Sequence, residues 1–432
     1  MASLRQFHVL FDKPSATYEP GETVSGKIII DTVKKEYVKG LYFIVKGGAF
    51  AYFLRDDPML SKSTLYVMKS EDYFVLKHDI LNISEGELER EIPKGRTEYP
   101  FIFTLPHNIP CSFEFECGYI RYTMNVVMER PFTFVHKCRT AFSVISCLDL
   151  NSYPERCIGI HDEMDKNFGF MCWMGGASLK LQIVMPCTGF VPGQIIAARI
   201  EYWSTSNIPI RKMSTKLVRT IRCITEGKTL PHKAVLEKTR HMQLCPNQRV
   251  TLKILTPPIA PSELEYCKIM DIHYKLVVSI HVSRPYSKIK RSYPILIGTV
   301  PLYRPASTVP RRVAFSFPTP STSQLAITST PIWKQGESSA SNIRQEEQAN
   351  TSSAYLDIPP PSYEESSFKT SNIRDDKETE FIFGADSPFS PKYPVFNYPA
   401  PSKIMNSLRN NLSGFNRIVN FRLNFLSSRV TR

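Results

Sequence analysis

Apolar and polar side chains alternate along most of residues 1–300, in short runs separated by turn residues. This period of two is typical of strands whose two faces meet different surroundings. It occurs in Phe101, Phe103 and Leu105, and in the longer run Ile120, Tyr122, Met124, Val126 and Met128. No stretch of comparable length keeps the 3.6-residue stripe of an amphipathic helix. The pattern therefore predicts an all-β fold of sandwich or barrel type.

The second half of this region repeats the order of the first. Pro20-Gly21 and Pro192-Gly193 each precede an alternating run, and each suits a type II turn, in which proline fixes φ and glycine supplies a positive φ. The run Ile120-x-Tyr122-x-Met124 has a counterpart in Ile272-x-Tyr274-x-Leu276. Such turns and strands occur in any β-protein. Two echoes in one order, about 150 to 170 residues apart, nevertheless favour a duplicated sandwich.

These patterns divide the chain into four parts. We predict β-sandwiches over residues 1–147 and 177–304, joined by a linker region over 148–176, where alternation stops and polar residues cluster. After residue 304 the composition shifts to Ser, Thr, Pro, Asn and charged residues. Because such a segment buries too little apolar surface to offset its ordering entropy, we expect residues 305–432 to be a disordered tail.

Charge and cysteine content limit the function. The net charge of +14 suits nucleic acid, an anionic membrane face or acidic peptide segments. The basic residues are dispersed and no nucleic-acid-binding signature accompanies them, so we expect no nucleic-acid partner. The ten cysteines include no C-x-x-C pair, so we expect no metal site, no cofactor and no disulfide framework.

The sequence shows neither a membrane-spanning segment nor a catalytic constellation. Because no run of eighteen apolar residues occurs and the N-terminus lacks a signal-peptide core, we expect a cytoplasmic protein. H-E-x-x-H, G-x-S-x-G, Walker and G-x-G-x-x-G patterns are absent. Neighbouring carboxylates such as Glu163 and Asp165 are better explained as solvated loop charges. We therefore expect a protein that is not an enzyme and has no catalytic residues.

A short motif in the tail carries the clearest binding signal. Pro360, Pro361, Ser362 and Tyr363 have the P-P-x-Y form that WW domains prefer. With Pro359 they make three consecutive prolines, which hold the backbone extended as polyproline II and lower the entropy cost of binding. The alternative interpretation is a rigid spacer.

Two further features of the tail suggest regulation and membrane contact. Thr319-Pro320, Thr330-Pro331, Ser387-Pro388 and Ser390-Pro391 are candidate sites of proline-directed phosphorylation, with composition bias as the alternative. Residues 404–432 contain no acidic residue, and their apolar side chains recur at helical spacing. A basic amphipathic helix would place Arg409, Arg417 and Arg422 against an anionic membrane surface, although Gly414 and several asparagines weaken that helix.

The parts together resemble a known family. Tyr18-x-Pro20-Gly21-Glu22-x-Val24-x-Gly26 and Ser112-Phe113-Glu114, which runs on to Tyr122, resemble the arrestin fold in the first half. Gly189-x-x-Pro192-Gly193-Gln194 and the run from Pro294 to Leu302 resemble it in the second. With the P-P-x-Y tail, the whole is similar to the alpha-arrestins. The resemblance implies two tandem arrestin-like, immunoglobulin-like β-sandwiches over about residues 5 to 304.

The resemblance also implies a function. Alpha-arrestins are adaptors that hold HECT-type ubiquitin ligases through WW domains and engage membrane-protein cargo, which places them at the plasma membrane and endosomes. Carried over, the ligase contact is Pro360, Pro361 and Tyr363. A second site is usual in the family, but here Ser390 stands where its first proline should be. Pro391 and Tyr393 are therefore expected to form a weak site at most.

Two alternative functions remain open at the level of the sequence. One is an arrestin-like scaffold that acts without a ligase, in endosomal cargo sorting or in receptor signalling. The other is an enzyme, which the absence of a catalytic constellation disfavours. Binding of WW domains separates the adaptor from the scaffold.

Overall fold

A computed structural model describes most of the chain. The described residues are 4–56, 64–81, 89–132, 134–168, 177–204, 209–225, 228–242, 249–283, 288–303, 360–366, 371–374 and 382–398. Within them the regular elements are strands and two short 3-10 turns. The prediction of an all-β fold is therefore confirmed, and it holds as two tandem sandwiches.

The first sandwich packs a three-stranded sheet against a seven-stranded sheet. The smaller sheet has the order β1-β3-β8, from β1 (Leu4–Phe11), β3 (Thr23–Thr32) and β8 (Gly95–Thr104). The larger has the order β2-β11-β10-β5-β6, from β2 (Thr17–Tyr18), β5 (Gly40–Asp56), β6 (Thr64–Leu81), β10 (Gly118–Glu129) and β11 (His136–Val144). Strand β9 (Phe113–Phe115) pairs with β10 and strand β23 (Ile382–Phe383) pairs with β11, which completes the seven strands. Strands β4 (Glu36–Val38) and β7 (Arg90–Ile92) pair with each other.

The second sandwich packs a four-stranded sheet against a five-stranded sheet. The first has the order β12-β13-β15-β18, from β12 (Ile160–Phe168), β13 (Ala177–Met185), β15 (Ile195–Ser204) and β18 (Arg249–Leu255). The other has the order β14-β20-β19-β16-β17, from β14 (Gly189–Phe190), β16 (Ile210–Thr225), β17 (Lys228–Met242), β19 (Met270–Val282) and β20 (Ile289–Ile297).

The alternating residues of the sequence form the cores of both sandwiches. Val24, Ile28 and Ile30 on β3 are fully buried, as are the inward side chains of β10. Most of the described cysteines are buried, as expected of small apolar side chains (Cys111, Cys138, Cys157, Cys187 and Cys223). Burial raises the pKa of the Cys111 thiol to about 12, so this thiol stays protonated at neutral pH.

The duplicated turns have the predicted geometry. Gly21 has a φ of +82° and Gly193 a φ of +87°, the positive values that the third position of a type II turn requires. Both turns lead into a central strand, β3 in the first sandwich and β15 in the second. The repeated order in the sequence therefore reflects two copies of one local structure.

The predicted linker region needs correction. Residues 150–152 and 154–157 are 3-10 turns, but Ile160–Phe168 is strand β12, which pairs with β13 along its whole length. The second sandwich therefore begins at Ile160, well before residue 177. Asp162, one of the polar residues that cluster in this region, accepts a 2.6 Å hydrogen bond from the hydroxyl of Tyr293.

The expectation of a wholly disordered tail also needs correction. Residues 360–366, 371–374 and 382–398 return to the sandwiches and contain β21 (Ser362–Glu365), β22 (Ser371–Asn372), β23 (Ile382–Phe383), β24 (Pro388–Phe389) and β25 (Lys392–Val395). We call residues 382–398 the tail strap. The remaining residues after 303, with Arg409, Arg417, Arg422, Thr319 and Thr330, lie outside the described residues.

Candidate functional site

The P-P-x-Y motif lies in a two-stranded ladder with the tail strap. Strand β21 runs antiparallel to β25, with Tyr363 opposite Pro394 and Glu364 opposite Tyr393. The two tail segments that were expected to be separate WW-domain ligands therefore pair with each other. Their 30-residue separation in sequence, from Tyr363 to Tyr393, hides this contact from any local pattern.

The motif itself stays at the surface. All four side chains of β21 are exposed, and Tyr363 retains 40% of its accessible surface. Pro360, Pro361 and Tyr363 line a cavity of about 300 Å³ together with Tyr18 and Pro301. Tyr18 belongs to the first sandwich and Pro301 follows the last strand of the second. The motif is thus held where both sandwiches meet.

Tyr393 has the opposite environment. Its side chain is 1% exposed, and its hydroxyl donates a 3.0 Å hydrogen bond to the backbone carbonyl of Ser112. Burial, with a smaller effect of the nearby Cys111, raises the pKa of Tyr393 well above its usual value. The ring is therefore a neutral core residue. In this conformation a WW domain has no access to it, which is why Pro391 and Tyr393 do not form an available second site.

Phe396 fixes the strap to the second sandwich. Its backbone N–H donates a 3.0 Å hydrogen bond to the carbonyl of Pro192. Its side chain belongs to a buried cluster with Leu150, Val191, Leu296 and Cys157. A Cβ on Gly193 would lie 2.2 Å from the Phe396 carbonyl oxygen, so glycine is needed here for close approach as well as for its positive φ. The Pro192-Gly193 turn, the second of the two duplicated turns, therefore also contacts the tail strap.

Further contacts hold the strap to the first sandwich. Strand β23 pairs in parallel with β11, with Ile382 opposite Lys137. The Lys392 backbone N–H donates to Ser143 Oγ at 3.0 Å, and its ammonium donates to the Ser15 carbonyl at 3.2 Å. Phe383 packs edge-on against Phe7, with ring centroids 6.0 Å apart. Together with the contacts of Phe396 on the second sandwich, these contacts attach the strap to both sandwiches.

A buried ion pair lies beside this junction. Arg121 donates to both carboxylate oxygens of Glu114, at 2.8 and 3.0 Å, and both side chains are less than a tenth exposed. The guanidinium also stacks 4.0 Å from the centroid of the Tyr119 ring. Glu114 lies on β9, two residues after Ser112, whose carbonyl accepts the Tyr393 hydroxyl. The ion pair therefore lies next to the backbone segment that receives the tail.

Several contact residues have no sequence pattern that marks them as contacts. In the sequence, Ser112 and Gly193 stand out only as parts of fold motifs, and Phe396 carries no motif of its own. One signal was available: Tyr393, Val395 and Phe396 form an apolar run inside a polar tail. Such a run favours burial over solvent exposure.

A basic surface covers part of the second sandwich. Lys216 on β16 lies opposite Lys238 on β17, with Lys212 and Arg240 further along the same pair of strands. Partial desolvation, followed by the like charges of Arg240, Lys216 and Lys212, lowers the pKa of Lys238. We call these four residues the basic face. Like charges opposite each other on paired strands do not stabilise a sheet.

Among the residues that the structure describes, no group of three or more His, Cys, Asp or Glu side chains is placed to hold a metal ion. Within the same residues no helix is long and apolar enough to cross a membrane.

Comparison with known proteins agrees with this architecture. Residues 7–151 match the family model described as arrestin (or S-antigen), N-terminal domain, and residues 176–302 match its C-terminal domain counterpart. Arrestin domain-containing protein 17 of Caenorhabditis elegans is 28% identical over 443 residues, which cover 92% of this chain and 100% of that protein. This chain belongs to the alpha-arrestin family.

Other alpha-arrestin relatives match over about two thirds of this chain. Human arrestin domain-containing protein 4 is 28% identical over 305 residues, covering 68% of this chain and 71% of that protein. Human thioredoxin-interacting protein is 24% identical over 301 residues, covering 68% of this chain and 75% of that protein. The family membership and the arrestin-type scaffold of this alpha-arrestin are thus established together.

Proposed function

We propose that this alpha-arrestin is a non-enzymatic adaptor that brings a HECT-type ubiquitin ligase, through its WW domain, to membrane-protein cargo. One observation carries the proposal: the P-P-x-Y motif is presented at the surface beside both sandwiches, with Tyr363 still 40% exposed. A ligase bound to this motif would lie close to any cargo that the sandwiches bind. The consequence for the cargo is ubiquitination, endocytosis and endosomal sorting.

Recognition would rest on the apolar surface of the motif. Pro360 and Pro361 offer flat rings to an aromatic slot, and the Tyr363 ring fills a neighbouring pocket. A ligand in polyproline II makes no internal hydrogen bonds, whereas β21 is paired with β25. A WW domain therefore competes with the tail strap for the same residues.

The basic face supports the cargo side of the proposal. Lys212, Lys216, Lys238 and Arg240 offer clustered positive charge to acidic cytoplasmic segments of membrane proteins. The net charge of +14 also suits work beside an anionic membrane surface. We propose a cytoplasmic protein that acts peripherally at the plasma membrane and endosomes, with Arg409, Arg417 and Arg422 as additional membrane contacts.

Titration of a tail peptide, residues 352–370, with an isolated ligase WW domain tests the ligase contact. Tyr363→Ala should weaken binding by about 30-fold or more, because losing an aromatic anchor typically costs about 2 kcal/mol or more. Tyr355→Ala in the same peptide is the matched control and should bind like the wild type. Equal affinities of the Tyr363→Ala and wild-type peptides would refute the assignment.

The alternative is a scaffold that sorts cargo without a ligase. The pairing of β21 with β25 favours it, because the sandwiches can bind cargo while the P-P-x-Y motif is paired with the tail strap. The two functions differ in cells. An adaptor carrying Tyr363→Ala should lose cargo ubiquitination, whereas a ligase-independent scaffold carrying it should sort cargo normally.

A further inference from the structure

A serine hydroxyl fastens the end of the β21–β25 ladder. Ser390 Oγ donates a 2.9 Å hydrogen bond to the carbonyl of Ser366, and the Ser366 N–H donates a 2.9 Å hydrogen bond to the carbonyl of Pro391. Ser390 is 6% exposed. These two bonds join the residue after β21 to the residues before β25, and so hold the P-P-x-Y strand against the strap.

The same serine has the sequence of a phosphate acceptor. Pro391 follows it directly, which is the feature that proline-directed kinases require. Ser387, three residues earlier, is also followed by a proline, Pro388, but its side chain is exposed. The chain thus offers two acceptors of the same local sequence, one buried in the ladder and one on the surface.

We propose that Ser390 is a phosphorylation site, and that its modification keeps the tail strap undocked and so frees residues 360–363 for a WW domain. The regulatory part rests on the proposed adaptor function. In the chemical step a proline-directed kinase transfers the γ-phosphoryl group of ATP to Ser390 Oγ. The bond from phosphorus to ADP breaks, the Oγ–P bond forms, and the hydroxyl proton leaves to the base of the kinase.

Phosphate is incompatible with the docked geometry. The Ser390 hydroxyl donates a hydrogen bond to the Ser366 carbonyl, but a phosphoserine has no such donor at Oγ and brings about −1.5 to −2 charges. Glu364 and Glu365 on the adjoining strand add like charge. Lys392 is the basic residue two positions along, and its ammonium is held by the Ser15 carbonyl. The docked ladder therefore disfavours the modified serine by loss of a hydrogen bond, by volume and by charge.

Burial also sets the order of events. A kinase must extend its substrate across its own cleft, so it reaches Ser390 only in molecules whose strap has already left the sandwiches. Phosphorylation then removes these molecules from the docking equilibrium. The modification does not pull the strap away; it retains the open form after spontaneous release.

Undocking would uncover the P-P-x-Y motif completely. Strand β25 is the partner of β21 in the described part of the chain, and Phe396 lines the same cavity as Tyr363. When Tyr393 and Phe396 leave their positions, the ladder loses its support on the sandwiches. A two-stranded ladder without further packing is marginally stable in water, so the motif would return to its extended polyproline form.

The test compares WW-domain affinities of the full chain and of the 352–370 peptide by calorimetry. The unmodified full chain should bind at least about tenfold more weakly than the peptide, because the docked fraction cannot bind. Full chain carrying phosphoserine at position 390, introduced during synthesis, should bind like the peptide. Phosphoserine at position 387 is the matched control, and the full chain that carries it should still bind the WW domain weakly.

A second readout follows the strap directly. Hydrogen exchange at the amides of Lys392 and Phe396, which donate to the sandwiches in the unmodified chain, should accelerate with phosphoserine at 390 and stay slow with phosphoserine at 387. Tyr393→Ala should accelerate the same amides without any phosphate. This readout needs no WW domain and separates release of the strap from misfolding of the sandwiches, whose core amides stay protected.

The outcomes distinguish failure of the inference from failure of the proposed function. A peptide that does not bind any WW domain refutes the adaptor proposal, whatever the strap does. A peptide and an unmodified full chain of equal affinity refute the masking. The role of Ser390 is refuted if the full chain binds the WW domain weakly both with and without phosphoserine at 390, and if the amides of Lys392 and Phe396 still exchange slowly in the modified chain.

Discussion

Glu114 and Arg121 show how a single buried charge depends on its partner. Each is less than a tenth exposed, and the two parallel hydrogen bonds between them satisfy most of their polar atoms. Such a pair contributes little net stability when intact, but removal of one partner leaves the other buried and uncompensated. Its position beside the Tyr393 contact makes the pair a sensitive point of the first sandwich.

Glu114→Gln should therefore destabilise the first sandwich by about 3–5 kcal/mol, because Arg121 would keep its charge in a dry site. The measurement is thermal unfolding of the full chain by calorimetry. Glu98→Gln is the matched control: Glu98 pairs with Lys27 and Arg96 at the surface, so its loss should change the melting temperature little. Similar melting temperatures for both variants would contradict the burial of the pair.

At the scale of elements, the edge of β11 that receives β23 contains a histidine. His136 opens β11, packs edge-on against Phe383 with centroids 6.4 Å apart, and has a buried Nε2 with no hydrogen-bond partner among the described residues. Burial, then the nearby Arg130, lowers the pKa of His136 below its usual 6.5, with Glu36 acting in the opposite direction. The folded protein thus favours the neutral ring.

This shift has a definite sign for stability. Since the folded pKa is depressed, the unfolded chain takes up the proton first, and the contribution of His136 is present above pH 6.5 and lost as pH falls through and below that value. Wild-type protein should lose more melting temperature between about pH 7.5 and about pH 5.5 than His136→Gln. The comparison variant is His281→Gln, because the pKa of His281 is also lowered although this residue lies away from β23. Hydrogen exchange at Ile382 and Phe383 is compared between the two variants. An equal pH dependence in wild type and His136→Gln would contradict the prediction.

The elements also show what sequence can and cannot predict here. The strands β3 and β10 were predictable because one face of each is uniformly apolar, so their alternation is visible. Strand β12 was missed because its inward position 162 is an aspartate bonded to Tyr293, which interrupts the apolar pattern. The docked tail was missed because Tyr393 pairs with Ser112, 281 residues away, and no local pattern encodes such a contact.

At the scale of the whole molecule, the tail strap completes the surface of both sandwiches. Tyr393 fills a site beside Cys111 in the first, and Phe396 packs on Val191 and Leu296 of the second. A chain ending at residue 303 would leave these apolar surfaces open. A chain ending at residue 398 would keep them covered, and it removes only residues that the structure does not describe.

The shorter chain should therefore melt about 5 °C or more below the full chain, because burying two aromatic side chains typically contributes about 1.5–3 kcal/mol each. It should also bind the dye ANS, which reports exposed apolar surface. The chain ending at residue 398 should match the full chain in both measurements. A short chain as stable and as dye-free as the full one would mean that the strap contacts contribute nothing in solution.

The spacing of the two aromatic anchors gives the strap a mechanical property. Tyr393 is attached to the first sandwich at Ser112 and Phe396 to the second at Pro192, with only two residues between them. Three extended residues span at most about 10 Å. The strap is thus an inextensible tether across the joint, and it sets a maximum for the distance between the two attachment points. A hinge rotation that moves the two attachment points further apart than this maximum must break the contact of Tyr393 or of Phe396. Force that a bound partner applies to the sandwiches would therefore detach the tail.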